Sequence, residues 1–219
     1  MNRQPRNMKE YYIINKNENN ENVYDWIDDT EWDSERNILY LKSTKDLLSG
    51  TVIGKTFKRE YLNGKQNGLT INYDPHWGDF MKSEIRFKNG IQHGIQRFYW
   101  FNGLLYEEYF MNNGQKEGVY KKFNSNGRLE IERNFKKGKL EGREIEFTFY
   151  RNDALRITNW SNGKKHGKEY IWFEKSFKLK SETTYDNGKK NGVNREWFFS
   201  SEQLKFEKHY IQGKLKRSK

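Results

Sequence analysis

The stretch GQKEGVYKKFNSNGRLEIERNF, residues 114–135, decides the fold. It opens on two glycines separated by three residues, Gly114 and Gly118. Apolar residues then alternate with polar ones at Val119 and Phe123, Asn126-Gly127 interrupts, and alternation resumes at Leu129, Ile131 and Phe135. Alternation of period two marks a strand with one buried face, and Asn-Gly between two such runs marks a hairpin. The same glycine pair recurs as Gly64/Gly68, Gly90/Gly94, Gly138/Gly142, Gly163/Gly167 and Gly188/Gly192. The six leading glycines lie 26, 24, 24, 25 and 25 positions apart, and a truncated seventh copy starts 25 further on at Gly213. A fixed period of this size means one supersecondary unit stacked on itself.

The other copies carry the alternation too, with Leu69, Ile71, Tyr73; Ile95, Tyr99, Phe101; Ile145, Phe147, Phe149; Tyr170, Trp172; and Val193, Trp197, Phe199. Type I′ turns are expected at Asn102-Gly103 and Asn126-Gly127, because both central residues of that turn need φ > 0. His76–Asp79, Asn152-Asp153 and Ser200-Ser201 take the equivalent place in other copies. The glycine-bounded tetrad is expected to form a second turn. An aromatic precedes each leading glycine (Tyr61, Phe87, Phe110, Phe135, Trp160, Tyr185, Tyr210), and these rings are expected to form one row. The expected fold is all-β, an elongated array of consecutive antiparallel β-hairpins forming a twisted single-sheet meander over residues 50–219. Residues 1–49 do not repeat and read as an acidic N-terminal cap, with a polar loop at 15–22 and a strand at 36–42 expected to pair with the first copy. Gly50 and Gly54 imitate the glycine pair, and the charged C-terminal residues blunt the last edge strand.

Composition sets the bounds. Only 33% of the 219 residues are apolar and 32% are charged, values that border on disorder, but 16% are aromatic. Large rings stabilise a thin sheet that lacks a deep aliphatic core. With no cysteine, disulfides and thiolate metal sites are excluded. The first residues contain no apolar run of signal-peptide length and no stretch is apolar enough for a transmembrane helix, so a soluble cytoplasmic protein is expected. The net charge of +11 is uneven. Residues 1–60 hold 10 Lys and Arg against 11 Asp and Glu, with eight acids and no base from Glu18 to Glu35, whereas 61–219 hold 31 against 19. A basic array steers acidic proteins, membrane surfaces or nucleic acid toward it, and equally keeps an aromatic-rich sheet in solution.

The repeat resembles the bacterial variant of the MORN repeat family. Trp160-Ser-Asn-Gly-Lys-Lys-His-Gly167 and Tyr185-Asp-Asn-Gly-Lys-Lys-Asn-Gly192 resemble the first half of that unit, and Phe123-Asn-Ser-Asn-Gly-Arg-Leu-Glu-Ile-Glu132 its second half. The resemblance covers residues 50–216. Proteins of this kind are often grouped as YwqK-like antitoxins, which implies neutralisation of a nearby-encoded toxin by direct binding.

Chemistry is not visible. His93 and His166 share a repeat position that other copies fill with Asn67, Glu117, Glu141 and Asn191, which reads as a turn residue rather than a ligand. The spacing of Asp28, Asp29, Glu31 and Asp33 does not match a calcium loop. No nucleophile, phosphate-loop or metal motif appears, so the expectation is a non-enzyme without cofactor or metal. Phe98, Trp100, Phe173 and Phe198 fall on the opposite parity from the main apolar row. Interleaved with Arg97, Lys121, Lys122 and Lys168 they form a candidate partner-binding surface, the alternative being a second small core. Three partners follow in order: a protein, an anionic membrane surface attracted by the basic residues, and, last, nucleic acid.

Overall fold

The computed structural model describes residues 23–74, 80–148, 153–174 and 176–216. The loop at 15–22, the turn at 76–79, Phe149, Asn152 and residues 217–219 lie outside these, as does the acidic segment before residue 23. The chain divides into two compact units, one ending at Gln115 and one beginning at Lys116. All the regular structure in both is β.

In the N-terminal unit, β1 (Val23–Asp25), β2 (Thr30–Asp33) and β3 (Ile38–Leu41) precede the repeats. Then come β4 (Gly50–Gly54), β5 (Phe57–Leu62), β6 (Lys65–Asp74), β7 (Phe80–Lys88), β8 (Ile91–Gln92), β9 (Gly94–Tyr99) and β10 (Leu105–Asn112). From β4 onward the strands form one antiparallel meander of consecutive hairpins. The strand expected at 36–42 forms as β3, but it pairs with β2 and not with the first copy. β1 takes that place, running parallel to β4. β3 serves the core instead, where Leu39, Leu48, Val52 and Tyr61 bury one another beneath Trp26 and Phe57. Gly50 and Gly54 lie at the two ends of β4 and do not bracket a turn between them.

The C-terminal unit repeats the pattern with fewer additions. It comprises β11 (Gln115–Phe123), β12 (Leu129–Lys136), β13 (Lys139–Leu140), β14 (Gly142–Phe147), β15 (Ala154–Ser161), β16 (Lys164–Lys165), β17 (Gly167–Trp172), β18 (Leu179–Asp186), β19 (Lys189–Trp197), β20 (Leu204–Ile211) and β21 (Lys214–Leu215). These also pair antiparallel in chain order.

The two kinds of turn are the reverse of the expectation. The leading glycine closes the tight turn, since Asn162 and Gly163 have φ of 50° and 76°, and Asn187 and Gly188 have 49° and 84°. Positive φ at both central residues of a two-residue loop is the type I′ geometry. At Asn102-Gly103 and Asn126-Gly127 only the glycine is positive. There the loop has three residues, closed by Trp100 N–H to Leu104 O and by Asn124 N–H to Arg128 O, and needs one left-handed position. The second glycine of each pair ends no turn. It sits in a β-bulge: Phe135 pairs with Leu140 but Ile131 with Glu146, so two extra residues enter the later strand.

The tight turns are tied to one another. Gly138 N–H donates to Lys116 O at 2.9 Å, Gly163 N–H to Leu140 O and Gly188 N–H to Lys165 O, both at 2.8 Å. A second bond comes from the residue before the bulge glycine. Asn67 Oδ1 accepts from Asn89 N–H at 3.1 Å, Glu117 Oε2 from Lys137 N–H at 2.7 Å, Glu141 Oε2 from Asn162 N–H at 2.8 Å and Asn191 Oδ1 from Gln212 N–H at 3.1 Å. His93 Nδ1 fills the same role for Asn113 N–H at 3.5 Å. At these copies His, Asn and Glu each offer an acceptor, whereas His166 faces the Asp186 carboxylate at 3.3 Å. Glu117→Ala is expected to cost about 1 kcal/mol, the usual net value of one hydrogen bond, measured by chemical denaturation.

Within each unit the residues expected to form the aromatic row share one register position, with one substitution. Phe87, Phe135, Trp160, Tyr185 and Tyr210 register opposite Gly68, Gly118, Gly142, Gly167 and Gly192. Met111, not Phe110, registers opposite Gly94, and Met111 is buried while Phe110 is exposed. The third copy has one residue more before its turn, so the side chain three places ahead of Gly114 is Met111.

Burial inverts the expected faces. The residue two places after each bulge glycine is the deepest of its strand: Thr70, Gln96, Tyr120, Glu144, Glu169 and Asn194 are all buried. The apolar row of opposite parity is only half-covered, and Ile95 and Val119 are exposed. Bulges explain the polar choice, because they leave backbone groups without ladder partners. Gln96, fully buried, accepts from Arg86 N–H and donates to the carbonyls of Arg86 and Gly94. In the C-terminal unit these residues join a transverse ladder. Arg133 pairs with Glu144, Thr158 Oγ1 donates to Glu169 at 3.3 Å, and Thr183 Oγ1 donates to Asn194 Oδ1 at 3.1 Å.

Candidate interaction surface

At the loop end of each hairpin an aromatic residue pairs with an aliphatic one. The pairs are Tyr73–Met81 and Tyr99–Leu105 in the N-terminal unit, and Phe123–Leu129, Phe147–Ala154, Trp172–Leu179 and Trp197–Leu204 in the C-terminal unit. All are half-buried except Leu204, which is exposed. A period-two strand in a one-layer sheet has no second layer to cover this row, so its apolar area stays at the surface.

In the C-terminal unit the neighbouring loops enlarge it. Phe177 is 76% exposed, and Phe198 and Phe199 are exposed at the next loop. Phe173 and Phe199 meet edge-on at 5.1 Å. Three ammonium groups border these rings: Lys178 lies 5.6 Å from Phe199, Lys180 5.9 Å from Phe173 and Lys205 5.8 Å from Phe198. Lys178 and Lys205 are also anchored to Glu202 and Glu196 at 3.1 and 3.0 Å. Apolar anchors inside a charged rim are the anatomy of a protein-binding surface.

The eight residues singled out from sequence are brought together only in part. Phe173 and Phe198 lie in this patch. Lys121 is half-buried on β11, Lys122 pairs with Glu130 at 3.3 Å, and Lys168 pairs with Glu182 at 2.7 Å, which raises the Lys168 pKa. Arg97, Phe98 and Trp100 belong to the N-terminal unit. There Phe98 stacks on Tyr109 at 6.0 Å and Trp100 meets Tyr106 edge-on at 4.5 Å. Sequence reading missed Phe177 and Phe199. Phe177 carried a signal, a phenylalanine set among Lys and Ser inside a loop where no strand face needs it, whereas Phe199 reads as the last member of the alternation Val193, Trp197, Phe199.

Arg97 is held between Glu108 at 2.7 Å and Glu84 at 3.6 Å, and Tyr99 donates to Glu84 at 3.1 Å. Burial, then the Glu84 charge, pushes the Tyr99 pKa up to about 12 from an ordinary 10.0. Protonated Tyr99 is therefore favoured by the fold. Its contribution is complete below pH 10 and is lost as the pH rises toward 12. Burial raises Tyr61 and Tyr109 in the same direction. Tyr99→Phe is expected to flatten part of the alkaline loss of stability, measured by denaturant unfolding across that window.

Among the described residues no group of three or more His, Cys, Asp or Glu side chains is arranged to hold a metal ion. Among the described residues there is no helix long and apolar enough to cross a membrane. No protein-family model matches the chain, and no curated protein matches it.

Proposed function

We propose that the chain is a non-catalytic binding protein of the cytoplasm that holds a protein partner against the aromatic loop end of its C-terminal unit. The observation that carries this reading is the patch of Phe173, Phe177, Phe198 and Phe199 bordered by Lys178, Lys180 and Lys205. An apolar cluster with a charged rim fits a polypeptide surface better than a small molecule, which needs an enclosed cavity. The resemblance to MORN-like antitoxins supports a toxin as that polypeptide. The reading is tested by co-expressing the chain with the product of the adjacent gene. A stable complex is expected, and Phe177→Asp with Phe199→Asp is expected to weaken it by about 30-fold, as for loss of a hot spot of about 2 kcal/mol. A neighbour that neither harms cells nor binds the chain removes the toxin reading. A complex unaffected by both substitutions removes the surface.

A further inference from the structure

We infer that the tight-turn margin of the C-terminal unit is a lysine ladder that binds an acidic protein helix, at a site separate from the aromatic patch. Lys139, Lys164, Lys189 and Lys214 each follow a turn glycine, at intervals of 25 residues. The stacked turns place them in one column. A Cβ built on Gly163, Gly188 or Gly213 would lie 3.8, 3.9 and 3.8 Å from the Cβ of Lys139, Lys164 and Lys189. One repeat advances two strands, so the ammonium stems step by about 9.5 Å.

All four lysines are exposed, and none has an ion-pair partner among the described residues. Some other lysines of the unit are neutralised locally, as Lys165 is by Glu169 and Lys168 by Glu182. The ladder lines up four of the unit's uncompensated charges in one column. Residues 116–219 carry 26 Lys and Arg against 14 Asp and Glu, and residues 1–115 carry 15 against 16. A step beyond the screening length of about 8 Å keeps mutual repulsion small while leaving each charge free for a partner.

The step suits a helical occupant. An α-helix with a carboxylate at every seventh residue repeats every ~10.5 Å, so four carboxylates stay within about 3 Å of register over the whole ladder, inside the reach of a lysine stem. A nucleic-acid strand is disfavoured because it needs free rings for its bases. The rings nearest this margin are occupied: Lys165 lies 5.0 Å over Tyr185 and Lys190 lies 5.3 Å over Tyr210. The exposed phenylalanines are at the opposite ends of the strands.

The test uses the full chain and a fluorescent helical peptide with glutamate at every seventh position in a neutral background. Substituting Lys139→Gln, Lys164→Gln, Lys189→Gln and Lys214→Gln together is expected to weaken binding about tenfold, at a few tenths of a kcal/mol per exposed pair. A control with the same loss of charge, Lys82→Gln, Lys88→Gln, Arg143→Gln and Lys208→Gln, is expected to retain binding within about twofold. Circular dichroism verifies that both variants fold. The Phe177→Asp variant is expected to bind the peptide normally, which separates this site from the aromatic patch. Equal losses in ladder and control variants would reduce the effect to net charge and overturn the proposal. Tighter binding of oligothymidylate, or of phosphatidylserine vesicles, than of the peptide overturns it in favour of those partners.

Discussion

Gly64→Ala is expected to destabilise the N-terminal unit by about 3 kcal/mol, far more than the same change at the equivalent turn glycine Gly90. Both residues are left-handed, with φ of 74° and 80°, so both substitutions carry the backbone penalty of about 1 kcal/mol. Surroundings separate them. A Cβ on Gly90 meets only Lys65 Cβ at 4.0 Å. A Cβ on Gly64 would overlap Ile38 Cγ2 and lie 2.9 Å from the Leu39 carbonyl oxygen. That backbone cannot retreat freely, because Gly64 O accepts from Leu39 N–H and Gly64 N–H donates to Leu48 O, both at 2.8 Å. Leu39 and Leu48 are the fully buried leucines of the core, so the strain passes directly into it. Hydrogen exchange resolves the two units. Equal losses at Gly64 and Gly90 would mean that β3 does not rest on the first tight turn.

Glu169→Ala is expected to cost the C-terminal unit about 2 kcal/mol, the price of stranding buried partners. Glu169 is buried, pairs with Lys165, and accepts from Thr158 Oγ1 at 3.3 Å and Tyr185 OH at 3.4 Å. Thr158 is only 1% exposed, so its hydroxyl loses a buried acceptor when the carboxylate leaves. Lys165, whose side chain is 31% exposed, recovers hydration, which keeps the loss below that of a fully buried ion pair. Glu169→Gln keeps one acceptor oxygen and replaces the other with an NH2 donor, so it retains one of the two acceptor contacts and is expected to cost about 1 kcal/mol. Burial and the Glu169 charge raise the Tyr185 pKa, so Tyr185 is expected to titrate earlier in either variant. An alanine variant as stable as the parent would show that the ladder does not bear on folding.

Much of the fold was legible because glycine and alternation are local signals. The repeat glycines place every tight turn from Asn63-Gly64 to Gln212-Gly213. Turn type was misjudged at Asn102 and Asn126 because Asn-Gly occurs at both kinds of turn, and loop length, which sets the type, depends on where pairing stops. The buried face was misjudged for a different reason. Hydrophobicity predicts burial when a second layer exists to bury against. In a single sheet, burial at Gln96 or Glu169 comes from bulged backbone and neighbouring side-chain stems, which no alternation of Val119 and Lys121 reveals. The candidate surface was legible only through Phe173 and Phe198. Its other members depend on how the loops after β17 and β19 fold back. The lysine column was written at period 25 in the sequence, yet its meaning needed the stacking of the turns.

The main-chain N–H groups of the turns donate from the later copy to a side-chain acceptor in the earlier one. Each copy therefore carries the acceptor that its successor needs. A lesion at Glu141 removes the acceptor of the turn at Asn162, 21 residues downstream. Each copy acts as a template for its successor, so the order in which copies leave the ribosome matches the order in which their turns can be fastened.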